Sequence, residues 1–369
     1  MRQETNVIVV GAGIIGCAIA HELSRRRARV RVIEARAVGA GATRASAGVL
    51  APYIEAPDRG ALLDLTVHSL TLYDRFAADV RQDSGLDVEF RRCGTLETAS
   101  DAATSAKLQE AGRQHARTGL DVEWLTPEAL RAVEPAMPHS LAGALLVRCH
   151  GYVRAGQLTE ALSWAAMRHG ADIESSRRVA EIRPRTGGLT VVSDDGTSWD
   201  AEHVVVAAGA WSGASGMHGG ATDVRPVRGQ LLRLAWRSTP LSHVIWGSDC
   251  YVVPWLDGTV LVGATSEEVG FDERTTAAGV RALLDAACEL IPEAWSATFV
   301  EARAGLRPAT SDGLPIIGPS ASVPGLWYAT GHYRNGILLA PLTAVAVGNL
   351  ILDDESDPLL DHVRPDRRS

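Results

Sequence analysis

Apolar and polar positions follow a definite order over the first 34 residues. An unbroken apolar run at 7–10 leads into a glycine-rich turn at 11–16 (GAGIIG), and a mostly apolar stretch continues to residue 20. A second short apolar segment at 29–33 is followed by Glu34. Short apolar runs bounded by turn residues indicate strands, and longer periodic ones indicate helices. The order predicts a strand, a tight turn, a helix and a second strand.

Two patterns interleave along the rest of the chain. Switches between strand and helix recur in residues 151–213, with an amphipathic helix predicted over 155–170, and again from Arg303 onward. Residues 86–146 and 224–300 are instead typical of an antiparallel sheet with added helices.

No low-complexity linker and no internal repeat separates the two patterns, so the domain with the recurring strand–helix switches must be discontinuous. The sequence predicts an α/β fold with a Rossmann-like nucleotide-binding domain at 1–85, 147–220 and 301–369. A second, substrate-binding domain, built on a mainly antiparallel sheet with helices, is predicted at 86–146 and 221–300.

The glycine turn has the features of a dinucleotide site. Gly11, Gly13 and Gly16 follow a strand and open a helix, and Glu34 ends the next strand. Glycines let the backbone approach a pyrophosphate, the helix N-terminus offers amides to its charge, and the carboxylate accepts hydrogen bonds from ribose hydroxyls.

Composition excludes several classes of protein. Of 369 residues, 46% are hydrophobic and 22% charged, which is typical of a globular protein with room for two domains. The net charge of −8, without a long basic run, argues against nucleic acid as a partner. The apolar stretch at 337–352 is too short for a comfortable membrane span and contains Pro341, so we expect a buried helix and no integral membrane segment.

Cysteines and histidines give no sign of a metal site. The five cysteines are scattered without a CxxC pair, and no HExxH occurs, so neither a disulfide framework nor a bound metal is predicted and a cytoplasmic location is expected. The one lysine, Lys107, lies in a polar segment that predicts a solvated helix, which gives little support to Schiff-base chemistry.

Runs of small residues favour a flavin over a nicotinamide cofactor. Residues 38–48 (VGAGATRASAG) can lie flat against a large ring system, where a nicotinamide domain would continue its strand–helix alternation. The strand predicted over 203–206 runs into AAGAWS at 207–212, which suits a backbone passing under a nucleotide, although core packing also explains it.

Four segments carry a resemblance to a known family. They are PVRGQ at 226–230, VGAT at 262–265, AGLRPATSDGLPIIG at 304–318 and WYATGHYRNGILLAP at 327–341. With these, the chain resembles the D-amino-acid oxidase superfamily of FAD-dependent oxidoreductases, most closely its glycine oxidase branch, which is associated with thiamine biosynthesis. GHYRNGILLAP is the most specific segment.

The resemblance implies FAD as cofactor and a set of contacts to it. The residues implied are Gly11, Gly13, Ile14, Ile15, Gly16, Glu34, Ala35, Arg36, Thr43, Arg44, Ala45, Ser46, Ala47, Gly48, Val179, Ala208, Gly209, Trp211, Arg307, Arg334, Asn335, Gly336, Ile337 and Leu338. A helix starting near Asn335 would direct its amides at the flavin edge that becomes negative on reduction, although an ordinary Asn-capped helix start is the alternative.

The resemblance also implies catalytic residues. It places Arg307 at the position that binds the substrate carboxylate, a role that suits the planar guanidinium fork, and Tyr251 beside it. Arg334 and His332 are implied near the flavin ring, with a satisfied buried histidine as the alternative for His332.

The implied reaction is oxidative deamination of glycine or another small amine, such as sarcosine or D-alanine. A hydride would pass to flavin N5, the imine would hydrolyse to an oxo acid and ammonia, and oxygen would yield hydrogen peroxide. Non-covalent FAD is expected, because the tethering cysteine of monomeric sarcosine oxidases corresponds to Gly305.

Several points depart from the family pattern or stay open. Asp249 and Ser266 stand where a histidine and a methionine are expected, and residues 53–62 resemble a lid loop whose Glu55 and Asp58 are interpreted as solvated charges. The alternatives are a D-amino-acid dehydrogenase that passes electrons to a quinone or carrier, and a flavin-binding protein without turnover. A homo-oligomer is possible, but no residue pattern indicates an interface.

Overall fold

The structure, a computed structural model, describes residues 6–56, 60–213, 223–236 and 239–367. The strands in these residues are β1 (Asn6–Val10), β2 (Arg29–Ile33), β3 (Val49–Leu50), β4 (Phe90–Arg91), β5 (Thr95–Ala99), β6 (Val122–Leu125), β7 (Gly143–Val147), β8 (Gly151–Val153), β9 (Asp172–Glu174), β10 (Val179–Arg185), β11 (Gly188–Ser193), β12 (Ser198–Ala201), β13 (His203–Val206), β14 (Arg225–Ala235), β15 (Val244–Trp246), β16 (Tyr251–Pro254), β17 (Thr259–Gly263), β18 (Thr298–Ala309), β19 (Ile316–Pro319) and β20 (Leu326–Thr330).

The α-helices in the same residues are α1 (Ile14–Arg25), α2 (Pro52–Glu55), α3 (Ala61–Ser84), α4 (Ala102–Arg117), α5 (Pro127–Val133), α6 (Ala155–Arg168), α7 (Ala277–Leu290) and α8 (Gly336–Leu352). Short 3₁₀ helices lie at Ala42–Ala45, Gly209–Gly213, Pro292–Ser296 and Pro358–His362. Within the described residues, no helix combines the length and apolar character that a membrane span needs.

The first sheet has six strands in the order β19-β20-β13-β1-β2-β9, all parallel except β19. Val7 and Val9 of β1 pack with the helices α1, α3, α6 and α8, whereas Ile8 and Val10 pack with the small sheet β10-β11-β12 on the other face. Successive strand residues point to opposite faces, so burial of both faces explains the unbroken apolar run in β1.

The second sheet has eight strands in the order β18-β14-β17-β16-β15-β5-β7-β6. All neighbours pair antiparallel except β15 with β5. Leu232 and Leu234 of β14 form a core with Leu283 and Ala287 of α7. The predicted α/β fold with a parallel Rossmann-like sheet and a mainly antiparallel second sheet is confirmed.

Two expected domain boundaries fall inside strands. The boundary expected between residues 146 and 147 lies within β7, Gly143–Val147. β18 pairs with β14 along its length, up to the pair Arg225 and Ala309, so the second sheet continues through the boundary expected between residues 300 and 301. Part of the expected range 147–220, namely 214–220, lies outside the described residues.

Candidate active site

A cavity of about 780 Å³ lies where the two sheets meet. The residues at the carboxyl ends of the parallel strands β1, β2, β13 and β20 line one side, and residues of β16, β17 and β18 line the other. The carboxyl edge of a parallel sheet is where such folds bind ligands, and the volume is typical of small-molecule sites.

The glycine turn and Glu34 form one end of this cavity. Gly11 has a φ of +105°, and a Cβ there would lie 2.6 Å from the carbonyl oxygen of Ala207, so this position requires glycine. The Glu34 carboxylate accepts hydrogen bonds from the amides of Ala12 at 2.7 Å and Arg36 at 2.8 Å. These bonds hold the acid across the turn, at the edge of the cavity.

An aromatic and charged cluster from both sheets flanks the same end. The Arg36 guanidinium lies 4.7 Å from the centre of the Trp211 ring and forms an ion pair with Glu273 at 2.8 Å. The Trp211 ring centre lies 5.9 Å from that of Phe271. Phe271 and Glu273 belong to the segment between β17 and α7, so the second sheet contributes directly to this end.

Arg307 and Tyr251 lie together at the other end. Arg307 Nη1 donates a hydrogen bond to the carbonyl oxygen of Thr265 at 2.9 Å, and its guanidinium forms no ion pair with a carboxylate of the described residues. Burial raises the pKa of Tyr251, although Arg307 opposes the shift, so its hydroxyl stays protonated and can donate.

The space for Arg307 comes from the opposite strand. Gly229 of β14 pairs with Gly305 of β18, and a Cβ on Gly229 would lie 2.2 Å from Arg307 Nη2. The guanidinium therefore lies flat over a position without a side chain.

Glu55 enters the cavity from α2 and pairs with Arg334. Its Oε2 lies 2.9 Å from Arg334 Nε, and its side chain is 9% exposed. Burial raises the pKa of Glu55 against the opposing charges of Arg334 and Arg307. The interpretation of Glu55 as a solvated charge is therefore wrong, because an arginine 279 residues away in sequence covers it. Asp58 lies outside the described residues.

His332 is buried beside the start of α8. Its Nε2 lies 3.0 Å from Thr343 Oγ1, and burial lowers its pKa to about 3, so the ring is neutral at physiological pH. α8 begins at Gly336 without a hydrogen bond from the Asn335 side chain, and Gly336 and Ile337 line the cavity. The first amides of a helix lack partners within it, so this end of α8 offers free donors at the cavity wall.

Comparison with known proteins adds to this geometry. The sequence profile of the FAD dependent oxidoreductase family matches residues 6–350. The chain belongs to this family. FAD is accordingly its cofactor, and the predicted resemblance is confirmed.

Relatives of this oxidoreductase include glycine oxidases. The chain is 35% identical to glycine oxidase of Geobacillus kaustophilus over 95% of this chain and 94% of the relative. The crystal structure of a glycine oxidase from that organism superimposes with a TM-score of 0.93 at 33% identity, covering 99% of each chain.

Two further relatives carry other names. A bifunctional protein ThiO/ThiG of Nostoc sp. is 35% identical over 97% of this chain, which spans 54% of that relative. The structure of iminodiacetate oxidase from Chelativorans sp. BNC1 has a TM-score of 0.87 at 26% identity and covers 97% of this chain and 98% of its own.

The cavity of this oxidoreductase fits FAD. Its glycine turn, the acid after β2 and the free amides of α8 suit the pyrophosphate, the ribose and a negative ring edge respectively. A Cβ at Gly305 would lie 2.8 Å from Ala45 Cβ, which leaves no room for a tethering cysteine there without movement. Of the five cysteines, all within the described residues, only Cys250 lines the cavity, and burial raises the pKa of this thiol to about 12.

Most predicted site residues line this one cavity. They are Gly11, Gly13, Ile14, Ile15, Glu34, Ala35, Arg36, Thr43, Ala45, Ser46, Ala47, Gly48, Val179, Ala208, Gly209, Trp211, Tyr251, Arg307, His332, Arg334, Gly336 and Ile337.

Four predicted contacts do not line it. Gly16 packs beneath the turn, where a Cβ would lie 1.9 Å from the Gly11 carbonyl oxygen, and Arg44 is exposed. Asn335 is buried, and the Leu338 carbonyl accepts a hydrogen bond from Ser69 at 2.6 Å.

Other lining residues were not predicted as contacts. Glu55, Trp246, Thr265, Phe271 and Glu273 line the cavity, as do Asp249 and Ser266, whose departures from the family pattern marked them. Two of the first five had a signal in the sequence: Thr265 ends the VGAT segment at 262–265, and Glu55 lies in the lid-like residues 53–62. No motif surrounds Trp246, Phe271 or Glu273.

Proposed function

We propose that this oxidoreductase catalyses the oxidative deamination of glycine or another small amine, such as sarcosine or D-alanine. The products would be an oxo acid, ammonia (methylamine from sarcosine) and, with oxygen as acceptor, hydrogen peroxide. The observation that carries the proposal is the Arg307 guanidinium, which lies in the cavity without a carboxylate partner among the described residues. Bound FAD would supply the electron-pair acceptor for oxidation of the amine to an imine.

Arg307 would bind the substrate carboxylate. A guanidinium donates two parallel charge-assisted hydrogen bonds to a carboxylate, which fixes the orientation of the molecule as well as its position. The bond to the Thr265 carbonyl and the flat floor at Gly229 restrict the rotation of this side chain. The protonated Tyr251 hydroxyl would donate a further bond to the same carboxylate.

Residues of α8 would favour the reduced cofactor. The amides at the start of the helix carry partial positive charge, which stabilises a nearby anion. Gly336 and Ile337 would present this end to the flavin edge that becomes negative on reduction. His332 stays neutral because of its burial, so it contributes a polar wall rather than a charge.

Glu55 would limit the size and charge of the substrate. The Glu55 carboxylate forms an ion pair with the Arg334 guanidinium at 2.9 Å, so Arg334 is not free to bind a second carboxylate. A buried anion in the pocket also repels acidic side chains of a substrate. We therefore favour small monocarboxylate amines over dicarboxylates.

A D-amino-acid dehydrogenase remains the second candidate. Some sarcosine-oxidising members of the superfamily that the chain resembles activate oxygen with a lysine near the flavin ring, whereas Lys107, the one lysine of this chain, lies on α4 and does not line the cavity. Peroxide release in air, without an added acceptor, separates the two activities. Catalysis itself is tested by anaerobic mixing with glycine, sarcosine and D-alanine. Bleaching of the flavin absorbance is expected, and an oxidised spectrum that persists across the panel would refute turnover of small amines.

The proposal extends to the organisation of the molecule. We assign non-covalent FAD to the domain around the first sheet (1–85, 147–220 and the C-terminal part) and the substrate to the domain around the second (86–146 and 221–300, extended to Ala309 by β18). The five cysteines are unpaired, which supports the reducing cytoplasm as location. Provision of an oxidised glycine product for thiamine biosynthesis and a homo-oligomeric state belong to the same proposal.

A further inference from the structure

Three ionisable side chains meet on the helices that cover the first sheet, away from the cavity. They are His21 of α1, Asp83 of α3 and His169, which directly follows α6. Asp83 Oδ2 lies 2.7 Å from His21 Nε2 and 3.1 Å from His169 Nε2. The three possible ligand atoms all lie within 4.8 Å of one another.

We propose that His21, Asp83 and His169 form a binding site for a divalent transition-metal ion, of which Zn²⁺ fits best. Two imidazole nitrogens and one carboxylate oxygen are a common set of three protein ligands for zinc, with a fourth position left to water. Imidazole ligands also argue against Mg²⁺ and Ca²⁺, which prefer oxygen atoms.

The two separations from Asp83 require only a small adjustment. Zinc-to-ligand distances of about 2.0–2.2 Å in a tetrahedron place the ligand atoms about 3.3 Å apart. The separations of Asp83 Oδ2 from the two histidine nitrogens, 2.7 Å and 3.1 Å, are a few tenths of an ångström shorter than this ligand separation. Without a metal ion, the imidazoles donate hydrogen bonds directly to the carboxylate. Rotation about the side-chain bonds of the partly exposed Asp83 and His169 can supply this change.

Access and charge are suitable as well. The His169 side chain is 35% exposed and that of Asp83 22%, whereas His21 is 3% exposed, so the site opens to solvent on one side and is anchored on the other. With neutral imidazoles the cluster carries one negative charge. Of the nearby cations, Arg25 is paired with Glu22 at 2.6 Å, and Arg168 donates to the Asp83 backbone carbonyl at 3.1 Å.

The bound ion would connect three helices that are distant in sequence. His21 and Asp83 are 62 residues apart, so no short ligand motif marks the cluster in the sequence. No metal site was therefore predicted from the sequence. α1 begins at the glycine turn, so the ion would stabilise the helix that the dinucleotide site depends on.

The test uses FAD-loaded, tag-free enzyme that has been treated with a chelator. Titration with ZnCl₂ by calorimetry is expected to show one equivalent bound with micromolar or tighter affinity. His169→Ala and Asp83→Asn should each weaken binding at least tenfold. His68→Ala, an exposed histidine on the same α3, is the matched control and should bind like the parent.

Titration with Cu²⁺ gives a second readout that needs no variant. Electron paramagnetic resonance of the one-equivalent complex should show coupling to two imidazole nitrogens. Binding by His169→Ala equal to that of the parent, absence of a one-equivalent phase, or a spectrum with thiolate ligands would each overturn the proposal. A variant is scored only when its FAD content and melting temperature match the parent, and otherwise the copper spectrum decides.

Discussion

Gly229→Ala is a selective way to move Arg307 without removing it. A Cβ at this position would lie 2.2 Å from Arg307 Nη2 and 2.4 Å from Nη1. Both atoms belong to the far end of a flexible side chain, so the strand can keep its place while the guanidinium shifts. Gly229 lies in β14 outside the left-handed region of backbone conformation, so alanine introduces no backbone strain.

The size of the effect follows from this overlap. Ordinary contacts with a Cβ begin at 3.4 Å, so the guanidinium must move by about 1.2 Å. A displacement of about 1 Å in a positioning group costs roughly 100-fold in rate. We expect kcat/KM for glycine to fall roughly 100-fold, which corresponds to about 2.7 kcal/mol of transition-state stabilisation.

The assay compares carboxylate and non-carboxylate amines. Peroxide release, or anaerobic bleaching of the flavin, is measured with glycine and with ethylamine, and FAD content is measured by absorbance. The loss should be confined to glycine, since ethylamine makes no use of Arg307. Gly156→Ala on α6, where a Cβ meets nothing within 4 Å, is the matched control and should behave like the parent.

Unchanged kcat/KM for glycine in Gly229→Ala, with full FAD content, would refute the placement of the substrate carboxylate at Arg307. An equal loss for glycine and ethylamine, with full FAD content, would do the same, because the substrate carboxylate would then play no part in the effect.

Three further substitutions test other parts of the site. Arg307→Lys keeps the charge but loses the planar fork, so kcat/KM for glycine should fall at least tenfold with FAD retained; parent-like activity would contradict bidentate binding. Glu55→Gln frees Arg334 for a second carboxylate and should raise kcat/KM for iminodiacetate relative to glycine about tenfold, and an unchanged ratio would remove Glu55 from the specificity argument. Because burial raises the pKa of Glu55, its contribution to stability is complete below the unfolded pKa and is lost as pH rises through the folded pKa. Glu55→Gln should therefore raise the melting temperature at pH 8 but not at pH 4. Glu34→Gln should weaken FAD binding to the apoprotein about tenfold in a fluorescence titration, and equal affinity would argue against a ribose contact.

Local sequence patterns were sufficient for the parts of the molecule that depend on near neighbours. The apolar run before the glycine turn predicted β1. This strand is buried on both faces, so all its core residues are apolar and form a continuous run in the sequence. The helix predicted over 155–170 is α6, Ala155–Arg168, since its apolar residues recur at helical spacing along one buried face.

Other parts depend on contacts between distant residues. α2 has four residues, too few for a periodic pattern, and Glu55 is buried only because Arg334 comes from the other end of the chain. Phe271 and Glu273 line the cavity because Trp211 and Arg36 meet them across the two sheets. β18 crosses an expected boundary because its pairing with β14 runs from Thr298 to Ala309, and this pairing between distant strands leaves no mark in the local sequence.

The pair Gly229 and Gly305 links the cofactor wall to the position of Arg307. Directly opposite residues of antiparallel strands share a face, and so do residues two apart along one strand, so Gly229, Gly305 and Arg307 lie on the same face. The 3₁₀ helix at Ala42–Ala45, which lines the cavity, packs against Gly305 so closely that a Cβ there would lie 2.8 Å from Ala45. A larger residue at 305 would push β18 away from this helix and carry Arg307 with it. The glycine at 305 therefore does more than replace a tethering cysteine, because it sets the distance between the cofactor wall and the group proposed to bind the substrate.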